Sequence, residues 1–207
     1  MPTDTSSIIN KQKIDRPTQE EAEEAVKTLL LWAGEDPNRE GLIDTPKRVV
    51  TAYKELFSGY DNSDKKLSNT VFNEISGYCD PVLVKNIEFF SHCEHHMLPF
   101  TGVAHISYLP NNCVIGLSKI ARIVDLFAKR FQTQEALTAQ IGSFIQNNIN
   151  PKGIAIMIEA EHMCMAIRGI KKLGSSTITT SYYGEYKDNE NYQQQFLNLV
   201  NRNNLQK

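Results

Sequence analysis

Pro81-Val82-Leu83-Val84-Lys85-Asn86-Ile87-Glu88-Phe89-Phe90 is the stretch on which the reading of the fold turns. Upstream of Asp80 the apolar residues recur at helical spacing. From Pro81 onward the chain is rich in Val, Ile and Phe, which fit a pleated, half-buried strand. Residues 102–109 read as a second strand, and Pro110-Asn111-Asn112 as a turn leading into Cys113-Val114-Ile115. Ser118 is the expected N-cap of a helix with Ile120, Ile123, Val124, Phe127 and Phe131 on one face. A further helix follows Thr133, with Leu137, Ile141, Phe144 and Ile145 on one side. Residues 153–160 are a strand, and residues 176–186 its expected hairpin partner across a loop at 168–175. Residues 191–201 read as a terminal helix with Tyr192, Phe196, Leu199 and Val200 inward.

Working back from Pro81, the polar, aperiodic residues 1–16 read as a flexible arm. A helix starts near Pro17 or Thr18, with Thr18 and Glu21 at capping-box spacing. Ala22, Ala25, Val26, Leu29, Leu30 and Ala33 form its apolar face, and Gly34 ends it. Thr45-Pro46 is expected as N-cap and first residue of a second helix. Val49, Tyr53, Leu56 and Phe57 form its stripe and Gly59 its stop; residues 61–70 are a polar loop. The organisation expected is an arm (1–16), a helical region (17–80), and a domain at 81–207 that closes with a helix. The order β-β-α-α-β-β after a helical hairpin predicts an α+β fold with an antiparallel sheet. A four-stranded sheet leaves two open edges, which a closed homo-oligomer would cover.

Composition excludes several classes of function. Lys plus Arg is 22 against Asp plus Glu 24, a net charge of −2, so the basic excess of a nucleic-acid binder is missing. No apolar run approaches the ~20 residues of a membrane span. The N-terminus has neither a signal-peptide core nor an Arg-rich amphipathic pattern, so a cytoplasmic protein is expected. In a reducing compartment the four cysteines, Cys79, Cys93, Cys113 and Cys164, point to metal ligation or plain burial rather than disulfides.

The densest chemistry is Ser91-His92-Cys93-Glu94-His95-His96, which holds three of the five histidines. Cys93 and His96 are three apart, so one turn can aim both at a single metal. His162-Met163-Cys164 brings the same residue types from a distant part of the chain. Thiolate with imidazole suits Zn2+, and Cys93, His96 and Cys164 make three ligands, the number of a catalytic site. His95 and His162 each lie close to a ligand in the chain and are free to move protons. A lone Cys-x-x-His is more often a pair of core residues, but two separate His/Cys clusters in one small chain weigh against that. Closure of the site by Cys113 as a fourth ligand stays open at this point. Cys79 and Cys113 otherwise read as small buried hydrophobes, and His105 as half-exposed.

A second constellation is basic. Ser118, Lys119 and Arg122 lie on the first turns of one helix, where free backbone N–H groups favour an anion. Arg168 follows Cys164, and Arg48 sits on the second helix. Together they suit a polyphosphate, whereas Lys171 and Lys172 read as solvated surface. Neither a G-x-x-x-x-G-K-[ST] loop nor a G-x-G-x-x-G is present, so a phosphate here is a handle rather than the reacting group. Glu135, next to Gln134 at the start of a helix, is either favourable dipole chemistry or an acceptor for a guanine edge.

Ser91 to Phe100, Gly116-Leu117-Ser118-Lys119-Ile120-Ala121-Arg122, Gln134-Glu135, His162-Met163-Cys164-Met165 with Arg168-Gly169, and Thr45-Pro46-Lys47-Arg48-Val49 together resemble the GTP cyclohydrolase I family. The resemblance runs from about Thr18 to Tyr186. It implies the tunnelling fold, a β-β-α-α-β-β unit assembled as a homodecamer of two pentamers, with active sites between subunits. It also implies one Zn2+ per subunit on Cys93, His96 and Cys164. Glu135 and the Gln134 backbone would bind guanine; Ser118, Lys119, Arg122 and Arg168 would hold the ribose triphosphate, and Arg48 would reach in from a neighbour. The implied reaction converts GTP and water into 7,8-dihydroneopterin triphosphate and formate, the first step towards pterins and tetrahydrofolate, with His95 and His162 as the proton carriers. Where many members carry Val and Arg, this chain has Thr133 and Ala136. Two other readings compete. A sister nitrile reductase lacks the zinc triad; a non-catalytic zinc-stabilised nucleotide-binding module predicts a fourth protein ligand.

Overall fold

The computed structural model describes residues 15–61, 71–72 and 78–202. Nearly all of the expected arm and most of the polar loop at 61–70 lie outside the described residues. The chain divides into two units, Met1–Phe57 and Ser58–Lys207.

The first unit holds α1 (Gln19–Trp32) and α2 (Thr45–Leu56). The capping box at Thr18 is present: Glu21 N–H donates to Thr18 Oγ1 at 3.2 Å and Thr18 N–H to Glu21 Oε2 at 2.8 Å. Gly34, at φ +94°, takes the left-handed position just past the helix, as the sequence predicts. The second helix starts one residue earlier than expected. Asp44 is its N-cap, without a side-chain bond, and Thr45 is already helical.

The second unit is built on a five-stranded sheet. In chain order it holds β1 (Val71–Phe72), β2 (Val82–Cys93), β3 (Pro99–Leu109), β4 (Val114–Ile115), α3 (Leu117–Ala128), β5 (Phe131–Gln132), α4 (Gln134–Ile149), β6 (Gly153–His162), α5 (Met163–Ala166), β7 (Ser176–Gly184), α6 (Glu185–Asp188) and α7 (Glu190–Asn201). The sheet order is β5-β2-β3-β6-β7, and β1 with β4 forms a separate two-stranded pair. The main pairings are antiparallel. The succession β2-β3-α3-α4-β6-β7 is the tunnelling-fold order.

Four details depart from the sequence reading. The sheet has a fifth strand, β5, which runs parallel to β2 and takes Phe131 out of the preceding helix. Residues 185 and 186 leave β7 for α6, where Tyr186 is buried. Gly116, not Ser118, caps α3, so Ser118 stands inside the first turn. Gly59 does not cap α2: it lies in a 3₁₀ turn, where an added Cβ would fall 2.4 Å from Leu126 O and 2.6 Å from Lys129 O. Its role is a close backbone approach.

The core lies between the sheet and the pair α3/α4. Phe89, Phe100, Ile106 and Ile156 from the strands meet Ile120, Ile123, Leu137, Ile141 and Ile145 from the helices. Each such side chain, fully buried, contributes about 1.5–3 kcal/mol. A smaller cluster on Tyr186, Phe196 and Val200 seats α7. Register then decides where the chemistry goes. His92 pairs with Pro99 and Phe131, Cys93 with Gln132, and Phe100 with His162. The ends of β2 and β6, the start of β3 and the start of α4 therefore meet at one end of the sheet.

Candidate metal centre and substrate site

Strand β2 runs through His92 and stops at Cys93, and the hairpin to β3 turns over Glu94 to Leu98. Met97 holds a positive φ of 57°, and its N–H donates to Cys93 O at 2.9 Å. That tight turn brings His96 back over Cys93. Beyond β6 the short helix α5 carries Cys164 to the same place. The ligand atoms of Cys93, His96 and Cys164 all lie within 4.8 Å of one another. Cys93 is buried, Cys164 half-buried and His96 exposed, so the cluster opens to solvent on the imidazole side. His95 stands at its edge, with Nδ1 at 3.7 Å from Cys93 Sγ. Cys113 is not part of this group. It packs against the core, close enough to Lys119 to act on its charge.

Burial raises the pKa of the Cys164 thiol, the adjacent Cys93 sulfur raises it further, and Arg168 pulls it down. Two thiols this close favour neutrality only while no cation lies between them; a divalent ion stabilises both thiolates outright. Two sulfurs and one imidazole nitrogen are a donor set that zinc-type ions accept, and three protein ligands leave a coordination position open.

The end of β6 supplies His162. Its ring stacks on Phe100 at a centroid distance of 4.6 Å and an interplanar angle of 6°, and its Nε2 lies 2.8 Å from Gln134 Oε1. Burial lowers the His162 pKa, while Glu135 raises it. Glu135, exposed in the first turn of α4, lines a cleft of about 190 Å³ with Thr138, Ala139, Thr179, Thr180 and Ser181. Thr133 caps that helix, accepting from Ala136 N–H at 3.1 Å. At one of the two positions where the chain departs from the common pattern, the threonine thus gains a cap that valine lacks.

One end of the sheet therefore gathers Cys93, His95, His96, Gln134, Glu135, His162, Cys164 and Arg168. The remaining basic residues lie elsewhere. Ser118, Lys119 and Arg122 occupy the first turns of α3, whose other end leads into β5 beside His92. Twelve helical residues span about 18 Å. Lys119 is 4% exposed, and among the described residues its Nζ has no hydrogen-bond partner. Burial lowers its pKa, against a smaller opposing effect of Cys113. Arg48 is exposed on α2 in the first unit, with Asp44 Oδ2 at 3.2 Å.

Two readings need correction, and one side chain went unread. His105 is buried, at 5% exposure, and its Nδ1 accepts from Asn86 N–H at 3.4 Å. Cys79 is exposed rather than buried. The Gln134 side chain, unremarked in the sequence reading, is 1% exposed and bonded to two strands, β6 through Ile158 and His162 and β7 through Thr177. Neither it nor the stacking face of Phe100 announces itself in sequence, because their partners come from 24 to 62 positions away.

A sequence model of GTP cyclohydrolase I matches residues 22–201. GTP cyclohydrolase 1 of Brucella suis is 58% identical over 201 residues, covering 95% of this chain and 94% of that protein. The enzyme of that name from Brucella anthropi is 58% identical over 204 residues, covering 96% of each. Among solved structures, an archaeosine synthase QueF-Like in the apo form matches 50% of this chain and 93% of its own, at 15% identity and a TM-score of 0.42. Likeness that runs from the first helix to the last, at more than one residue in two, is the mark of common descent of the entire chain, and this chain belongs to the GTP cyclohydrolase I family.

Proposed function

We propose that this protein converts GTP and water into 7,8-dihydroneopterin triphosphate and formate, with Zn2+ on Cys93, His96 and Cys164. The observation that carries the reading is the convergence of those three ligand atoms within 4.8 Å, from two segments far apart in the chain, in a member of this family. When bound, the ion acts as a Lewis acid and lowers the pKa of a coordinated water towards ~7.

The protein's own residues do the rest. Glu135 accepts the N1–H and 2-amino hydrogens of guanine, a pairing a carboxylate makes with both oxygens. The Gln134 backbone N–H is one of the unbonded donors of a helix start and adds to that edge. His162, held against Phe100, exchanges the proton at N7, and His95 serves the later ring-opening and ribose steps. Ser118, Lys119, Arg122 and Arg168 bind the triphosphate as an anchor, with Arg48 reaching in from a neighbouring copy. A buried, unpartnered Lys119 ammonium supports that role: an anion offsets a desolvation cost that otherwise runs to several kcal/mol.

The placement of these groups supports a shared site. The α3 basic turn starts a helix about 18 Å long whose far end leads towards the metal cluster, a separation that favours binding of one nucleotide by groups from two copies. A homodecamer in which α3 of one copy faces the metal cluster of the next completes it. The test is to incubate zinc-loaded and chelated protein with GTP, following formate release and oxidised-pterin fluorescence. Turnover that appears with metal and disappears on chelation is expected. Metal binding without any formate release would instead favour the non-catalytic nucleotide-binding module.

A further inference from the structure

Counting hydrogens around Gln134 fixes more than its own orientation. Its Nε2 is surrounded by Ile158 O at 3.0 Å, Thr177 O at 2.9 Å and Thr179 Oγ1 at 3.2 Å. Two of these are carbonyl oxygens, which only accept. The third is committed as well. Thr138 Oγ1 donates its one hydrogen to Gln134 O at 2.8 Å, so at their 2.7 Å contact Thr179 is the donor to Thr138. A lone pair of Thr179 then faces Gln134. Three acceptors around one atom require the NH₂ group there, and a flipped carboxamide would set oxygen against oxygen.

The opposite atom of the carboxamide is therefore Oε1, and it faces His162 Nε2 at 2.8 Å. An amide oxygen has no hydrogen to give, so the hydrogen in that bond belongs to His162. The ring has little freedom to answer otherwise. Phe100, fully buried, lies parallel against it, and Phe89 meets Phe100 edge-on at 5.9 Å.

We propose that the Gln134 side chain is a positioning residue that holds His162 in its Nε2–H tautomer and leaves Nδ1 as the nitrogen that exchanges protons with the substrate. The same carboxamide ties the first turn of α4 to β6 and to β7, so the residue before the guanine-binding Glu135 also sets the histidine. The catalytic half of this inference rests on the GTP reading above; the tautomer does not.

The tautomer is read by solid-state NMR on the zinc-loaded full-length protein labelled with ¹⁵N-histidine. The His162 signals are assigned by their loss in His162→Gln. A pyrrole-type Nε2 with a pyridine-type Nδ1 is expected, and a pyrrole-type Nδ1 overturns the proposal. Gln134→Met removes the acceptor. It should mix the two tautomers and lower kcat for formate release on the order of 100-fold, with KM for GTP within about threefold. Gln134→Glu keeps an acceptor for Nε2–H, and with its second oxygen protonated against Ile158 O and Thr177 O it should restore about tenfold of that loss, together with the single tautomer. Wild-type kcat and an unchanged spectrum in Gln134→Met would refute the positioning role. Should that variant fail to fold, the wild-type spectrum still decides. Absence of formate release from wild-type protein would remove the GTP reading while the spectrum judged the tautomer separately.

Discussion

Cys164 shows how one residue joins two kinds of stability. It is half-buried beside Cys93, and without a cation burial and that neighbour raise its pKa. It sits on a four-residue helix at the sheet's end, so removing its sulfur leaves the core intact. Cys164→Ala is expected to abolish both zinc retention, measured by elemental analysis, and turnover, while the far-UV circular dichroism stays native. Full activity in this variant would mean that the ligand set is wrong. His105 makes a different point. Burial lowers its pKa, Lys85 lowers it further and Glu159 opposes them. Its folded pKa lies below its unfolded one, so the unfolded state takes up the proton first as pH falls. Native stability should therefore decline below about pH 6.5, and keep declining until the lowered folded value is reached. Denaturant melts between about pH 7 and 5 should show a shallower decline for His105→Asn than for the wild type; equal slopes would remove His105 from the account.

At the scale of elements, α4 carries the most consequence. Its N-cap Thr133 satisfies the Ala136 N–H, and its first turn presents Gln134 inward and Glu135 to the cleft. Thr133→Ala should cost about 1 kcal/mol in chemical denaturation. It should also raise KM for GTP, because the turn that aims Glu135 frays; an unchanged melt would show that another group satisfies the first turn. The caps also show what a sequence makes legible. Thr18 with Glu21 is readable because a capping bond spans three residues. Ser118 has the same chemistry yet is not a cap. There β4 pairs through Ile115 with Val71, and α3 begins directly behind Gly116. A long-range pairing overrode a local preference. Strand β5 stayed invisible for the same reason: Phe131 continues the helical period, and only its partner His92 draws it into the sheet.

For the whole molecule, the open question is what covers the sheet. Strand β7 is an edge, and β5 pairs with only the last two residues of β2. In the same unit Phe90, Leu117, Ile167, Ile170, Leu173 and Ile178 are all more than half exposed. Unpaired edges beside exposed apolar side chains are stable in water when other copies cover them. Light scattering should give a mass about ten times the 23.5 kDa of one chain; a monomer at micromolar concentration would contradict both the decamer and the shared site. By itself the sequence determined the α+β order, the buried faces of α3 and α4, the capping box and the residues of the proposed metal site, because periodicity, caps and ligand chemistry are properties of residue type and short spacing. Only the tertiary structure decided that Cys164 reaches Cys93, that the α3 cations lie away from the metal cluster, that His105 is buried and that Gln134 grips His162. Each of those depends on strand register, which is set by core burial summed over the whole sheet.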